Sequence, residues 1–192
     1  MRVISALRWR ARRCAAGAVA GLLLLTGCSE RLEWREARLP EATVMLPGRA
    51  QAVSRSVDFE GQSLPMTMHS TGVGASMFAI GIAALPPGLA ADAATRRRAI
   101  AYFRDGLVRN IGGTVTSSAP ATLTLAPGSL QRVTAGEALE ARGRTADGRV
   151  AVLAARFFIV DDRLFELVAL GGEGSIDAQA LDTFFSSFRP LS

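Results

Sequence analysis

The chain has 192 residues, a length for one ordinary domain and hardly for two. Apolar residues make up 49% and charged residues 20%, which excludes a disordered chain, and two cysteines with one histidine exclude a disulfide framework or a metal cluster. The formal charge of +5 is carried by the amino terminus: five of the 22 basic residues, all arginine, precede residue 28, and the rest of the chain balances 17 arginines against 17 acids.

The first segment reads as an address. Arg2, Arg8, Arg10, Arg12 and Arg13 form a basic start. An apolar run follows over residues 15–25, ending in Leu22-Leu23-Leu24-Leu25. Basic region, apolar region and small-residue cleavage zone stand in the order of a secretory signal. The run is shorter than the roughly 20 residues a spanning helix needs. Arg12-Arg13 is followed by Cys14-Ala15-Ala16, which does not continue a twin-arginine pattern.

The run closes on Leu25-Thr26-Gly27-Cys28. This quartet resembles the lipobox of bacterial lipoproteins. The resemblance implies diacylglycerol on the Cys28 thiol, cleavage between Gly27 and Cys28, and acylation of the new amino terminus. Several acyl chains hold a protein at a bilayer where one binds reversibly. Ser29, rather than Asp, follows the cysteine, which by the same resemblance favours the outer membrane, facing the periplasm. Cys14 leaves with the signal and Cys28 is consumed by lipid, so the mature chain is expected to hold no disulfide. Its 165 residues, which can bury roughly 70% of their unfolded surface, are held by their core.

Residues 28–41 are polar, with Glu30, Arg31, Glu33, Arg35, Glu36 and Arg38, and read as a tether. Trp34 either meets the membrane interface or docks on the domain. The domain is expected over residues 42–192. Residues 42–46 form a first strand, ended by Pro47-Gly48. Val53, Arg55, Val57 and Phe59 alternate with polar neighbours, as in a half-buried strand. Glu60-Gly61-Gln62 turns the chain into a strand over residues 64–71, where Pro65 suggests a sheet edge or a start after it. Residues 75–85 are nearly all apolar and read as a central strand covered on both faces.

Pro86-Pro87-Gly88 ends this meander. Asp92 is a plausible cap for a helix reaching Ile111, with Ile100, Phe103, Leu107 and Ile111 on one stripe and Gly112-Gly113 as its stop. Two weak strands are expected near residues 114–117 and 130–134. A second meander follows: residues 139–144, the Asp147-Gly148 hairpin signal, the apolar run 150–160, the Asp161-Asp162 turn, and residues 163–170. In the last of these Phe165, Leu167 and Ala169 alternate with Glu166, which places the acid on the face away from them. Asp177, or Ser175, caps a closing helix with Leu181, Phe184, Phe185 and Phe188. The reading is an α+β domain: an antiparallel sheet of two three-stranded meanders packed with two helices.

Val44-Met45-Leu46-Pro47-Gly48, the meander, the long helix, the hairpins and the closing Thr183-Phe184-Phe185-Ser186-Ser187-Phe188 together resemble bacterial lipoproteins of the Mog1/PsbP-like fold. The resemblance covers most of residues 42–189. It implies an antiparallel sheet sandwiched by helices and a binding or assembly role. It carries no functional residue, because the shared positions are core and turn.

No catalytic constellation stands out. His69 falls on the polar phase of its strand with Thr67 and Thr71, and a triad would need it beside a serine and a carboxylate. The pairs Asp58/Glu60, Glu137/Glu140 and Asp161/Asp162 read as turn or surface residues. Gly171-Gly172-Glu173-Gly174 lacks the lysine and spacing of a phosphate loop. Arg96-Arg97-Arg98 lies in the first turns of the long helix, where the macrodipole disfavours cations. It is the candidate contact for an anionic partner. The neutral mature chain argues against nucleic acid. Met45, Met66, Met68 and Met77 suggest adaptable apolar surface.

The expected function is therefore non-catalytic: a lipid-anchored envelope protein that binds another protein or supports assembly, with neither cofactor nor metal. The alternative is a carrier or sensor of a small apolar ligand. It predicts a cavity between sheet and helix lined by Met66, Met68, Phe78, Phe103 or Phe158.

Overall fold

A computed structural model describes residues 32–145 and 147–191. The signal segment, with Gly27 and Cys28, lies outside the described residues. In chain order the elements are β1 (Arg35–Arg38), β2 (Ala42–Leu46), β3 (Gln51–Phe59), β4 (Gln62–Val73), β5 (Ser76–Ala84), α1 (Pro87–Ala91), α2 (Ala93–Asn110), β6 (Thr114–Pro120), β7 (Val133–Arg144), β8 (Val150–Val160), β9 (Arg163–Gly171), α3 (Ala178–Ser186) and β10 (Arg189–Pro190).

The fold is α+β and its strand pairs are antiparallel, but the sheet layout differs from two three-stranded meanders. The meanders β3-β4-β5 and β7-β8-β9 do form. They are then joined, because β5 pairs with β9 along Met77↔Leu170 to Ala84↔Arg163. With β6 on β7, the result is one seven-stranded sheet in the order β3-β4-β5-β9-β8-β7-β6. A separate three-stranded sheet has the order β1-β2-β10. Among the described residues there are three helices rather than two, since Pro87–Ala91 makes a short helix where only a break was expected.

The tether reading needs the same correction. Arg35–Arg38 is a strand, paired with Leu46 back to Thr43. Its four residues are mostly exposed and carry three charges, so neither burial nor apolar alternation marks it. Trp34 docks on the domain: its ring meets Phe78 edge-on, centroids 5.6 Å apart.

Pro65 sits inside β4 opposite Ser56, and β4 is not an edge. The ladder from β4 to β5 begins only at Met66, so Pro65 stands where β4 has β3 alone for a neighbour. The true edges are β3 and β6. The two weak strands expected near residues 114–117 and 130–134 are β6 and the start of the twelve-residue β7.

Both faces of the sheet centre are covered, as a long apolar β5 and β8 require. On one face α2 lays Ala99, Ile100, Phe103 and Ile111 over Leu64, Ala79, Leu153, Phe157 and Val168. On the other, α3 and β2 lay Phe184, Phe188, Val44 and Leu46 over Phe78, Ile80, Phe158 and Phe165.

The helix ends follow local chemistry. Asp92 accepts from Thr95 N at 2.6 Å and from Thr95 Oγ1 at 2.7 Å, capping α2. Gly112, with φ of +51°, ends the helix, donating to Arg109 O at 2.9 Å. Asp177 caps α3, accepting from Ala180 N at 2.6 Å. Asp177→Ala leaves that N–H without its partner and is expected to cost about 1 kcal/mol in urea unfolding, with Asp177→Asn nearly neutral.

Candidate functional site

The sequence-derived candidates separate into structural pieces. Arg96 donates to the last carbonyls of α1, Ala90 O at 2.6 Å and Ala91 O at 2.9 Å. That explains a cation in the first turn of α2: it serves the carboxyl end of the preceding helix. Arg98 pairs with Glu60 at 2.5 Å and donates to Thr95 Oγ1 at 2.9 Å. The bond from Arg98 holds the Glu60 carboxyl below its ordinary value. Arg97 is exposed, beside the groove between α2 and β6. The triplet therefore does not present three cations to one partner.

His69 is half-buried on β4, between Ala52 and Ile80 in the ladder. Asp58 Oδ1 accepts from Gly61 N in the β3–β4 turn. Glu137 accepts from Ser118 Oγ at 2.9 Å and from Arg104 at 3.2 Å. Glu140 is three residues on and faces the other side of the strand, so this pair does not converge. Asp161, with φ of +52°, accepts from Arg132 N at 3.0 Å in the β8–β9 turn. Glu173 pairs with Arg142 at 2.5 Å, and Gly172–Gly174 is a plain connection from β9 to α3. Among the described residues no group of three or more His, Cys, Asp or Glu could hold a metal ion.

One acid was not singled out by the sequence reading. Glu166 lies at the centre of β9 and is 2% exposed. Its neighbours across the ladder are Gly81 on β5 and Phe157 on β8. Alternation does set it apart from Phe165 and Leu167, but the face it occupies is the one under α2. That face is buried, because β9 is an interior strand. The missed signal was the combination of two long, largely apolar strands, which need partners on both sides, with a strand that carries one acid.

Glu166 forms part of the wall of a cavity of about 300 Å³ between β3 and the carboxyl-terminal half of α2. Arg55 and Asp58 from β3 and Tyr102, Phe103 and Arg109 from α2 complete the principal lining. Two glycines leave room here, Gly106 in the cavity lining and Gly81 on the sheet next to Glu166. Gly106, in mid-helix, sends no side chain into the cavity, although glycine there costs about 1 kcal/mol against alanine. Gly81 lets methionine tips cross the sheet: a Cβ on it would collide with Met66 Cε, lie 3.3 Å from Met68 Cε and 3.5 Å from Glu166 Cβ. Arg55 is the one charge that acts on Glu166 appreciably. It opposes burial but is outweighed, and burial pushes the carboxyl up to about 7.

The expected ligand cavity is thus found in part and relocated. Phe103 lines it and the Met66 and Met68 tips pack beside Glu166, whereas Phe78 and Phe158 belong to the core on the opposite face of the sheet. Its floor is an acid rather than a purely apolar surface.

No family model and no curated protein matches the chain. Among solved structures it is similar to the Pseudomonas aeruginosa protein of unknown function PA94, at 12% identity and a TM-score of 0.37, over 74% of this chain and 85% of that one. The likeness is too distant to carry an argument about function. No helix among the described residues is long and apolar enough to cross a membrane.

Proposed function

We propose that this chain is a lipid-anchored protein of the bacterial envelope, built on a Mog1/PsbP-like domain, that works by binding rather than by catalysis. The observation that carries the reading is the order of basic start, apolar run and Leu25-Thr26-Gly27-Cys28, followed only seven residues later by the first strand of the domain. A domain tied so closely to Cys28 works near the bilayer, in the periplasm and by the Ser29 criterion at the outer membrane. The layering of α2, the large sheet and α3 with the small sheet supports the domain assignment. Its exposed edge strands β3 and β6 offer backbone to an envelope protein.

The anchor is tested first. Cys28→Ala is expected to abolish acyl labelling and to leave the precursor unprocessed. A mature protein that still carries label overturns the assignment. Cross-linking in intact cells through a carboxyl-terminal tag then tests the binding role, and a discrete envelope partner lost in Cys28→Ala is the expected result.

A second reading, a carrier or sensor of a small ligand, is favoured by one observation: the cavity beside Glu166. Its volume is at the lower end of the range for small-molecule sites.

A further inference from the structure

We propose that the cavity between β3 and α2 is a binding site for a small zwitterion of the α-amino-acid type, with its ammonium on Glu166 and its carboxylate at Arg55 and Arg109. The inference rests on the carrier reading and gives its ligand a chemistry.

Three observations carry it. First, Glu166 is buried and reaches the cavity, yet among the described residues no side-chain hydrogen bond compensates the carboxyl for its lost water. A buried carboxyl in that state favours a cationic donor over any apolar guest. Second, the mouth is of the opposite sign. Arg55 and Arg109 are both exposed and both line the cavity, against the single carboxylate of Asp58. A guest that ends in a carboxylate satisfies them, and guanidinium groups suit carboxylates by their forked geometry. Third, Phe103, Leu107 and the ring of Tyr102 line the cavity beside these charges, with the glycine gap at Gly106. That lining suits an apolar side chain of modest size. A plain amine leaves the two arginines unused, and a fatty acid leaves Glu166 without a cationic donor.

The ionisation state supports the pairing. The carboxyl titrates at about 7 in the empty site, so an ammonium guest is expected to bind more tightly as the pH rises through 7 and Glu166 ionises. The charged and titratable groups that face it are Arg55 and Asp58 on β3 and Tyr102 and Arg109 on α2.

The test is calorimetric titration of the full chain in detergent with four isosteric probes: leucine, leucinamide, 4-methylpentanoate and 4-methylpentanamide. Leucine is expected to bind best. Leucinamide, which keeps the ammonium, and 4-methylpentanoate, which keeps the carboxylate, follow, and 4-methylpentanamide, which keeps neither, is weakest. Glu166→Gln is expected to weaken leucine about 30-fold, the usual scale of a lost charged hydrogen bond, and to remove its pH dependence. Arg55→Gln with Arg109→Gln changes only exposed positions and keeps the test open if Glu166→Gln misfolds. It is expected to weaken leucine and leave leucinamide unchanged. Binding of 4-methylpentanoate as tight as that of leucine overturns the proposal. If 4-methylpentanamide binds and leucine does not, the zwitterion fails while the carrier reading stands. If none of the four gives saturable heat at about 10 mM, both fail together.

Discussion

Glu166→Gln is expected to make the protein more stable at pH 8 and to flatten its stability between pH 4.5 and 8. Unfolded, the carboxyl titrates near its ordinary 4.5; folded, burial raises it to about 7. Below pH 4.5 both states hold the proton, and the folded state bears no cost. Between 4.5 and 7 the folded chain keeps a proton that the unfolded chain has released, so stability is lost as the pH rises. Above about pH 7 the loss is complete, at about 3 kcal/mol. Glutamine matches the neutral acid in shape and never acquires the charge. Urea unfolding at pH 4.5 and pH 8 checks this. The wild type is expected to lose about 3 kcal/mol relative to the variant across the interval. Taking the difference cancels Glu60, Asp92 and Asp147, whose values lie below their ordinary ones and whose contributions are lost as the pH falls. Parallel curves for the two proteins would show that Glu166 is not held in a dry site.

Phe184→Ala is expected to be the most damaging single truncation of the α3 side of the core. The ring is fully buried. It meets Phe78 edge-on at 5.4 Å and Phe185 at 5.1 Å. Phe78 in turn carries Trp34, so the loss reaches the segment that precedes β1. Neighbours on the central strand β5 cannot close the gap, because their backbone is paired on both sides. The expected cost is about 4 kcal/mol, or roughly 10 °C in Tm for a domain of this size. Phe184→Leu refills most of the volume and is expected to recover more than half of it. A loss of under about 1 kcal/mol for Phe184→Ala is incompatible with this packing. The neighbouring Phe185 provides a contrast, because its ring is also covered by the Arg156 guanidinium at 4.6 Å and so lies nearer the rim of this core.

Much of the fold was legible because it is written locally. The apolar run at residues 150–160 is β8 to the residue, since eleven residues, all apolar but Arg156, bounded by turn signals leave a buried strand as the simple solution. Asp92 and Asp177 mark helix starts because a short carboxylate side chain reaches the free N–H three residues on. The Glu60-Gly61 turn follows from residues that tolerate positive φ, seen at both positions. The stripe of Ile100, Phe103 and Ile111 fixed the buried face of α2.

What failed to be legible depends on distant pairing. β1 is four residues of Arg-Glu-Ala-Arg, and only the presence of β2 beside it makes it a strand. The meeting of β5 and β9 joins residues almost ninety apart in the chain, and no alternation within either strand states it. Glu166 shows the consequence most sharply. Its position on the strand and its side of the pleat follow from a period of two. Whether that side faces water or a dry cavity depends on β9 lying between β5 and β8, and on α2 crossing above. The same holds for Arg96, whose charge looks misplaced until α1 appears in front of it.

By itself, then, the sequence determined the signal pattern with its Cys28 resemblance, the helix ends, the turns and most strands, because caps, glycines and hydrophobic period act within a few residues. The tertiary structure alone decided which strands are interior, which of three adjacent arginines turns back onto the preceding helix, and which acid is buried. Those depend on neighbours that the chain brings together only on folding, and burial, which sets the charge state of Glu166, is a property of that assembled environment.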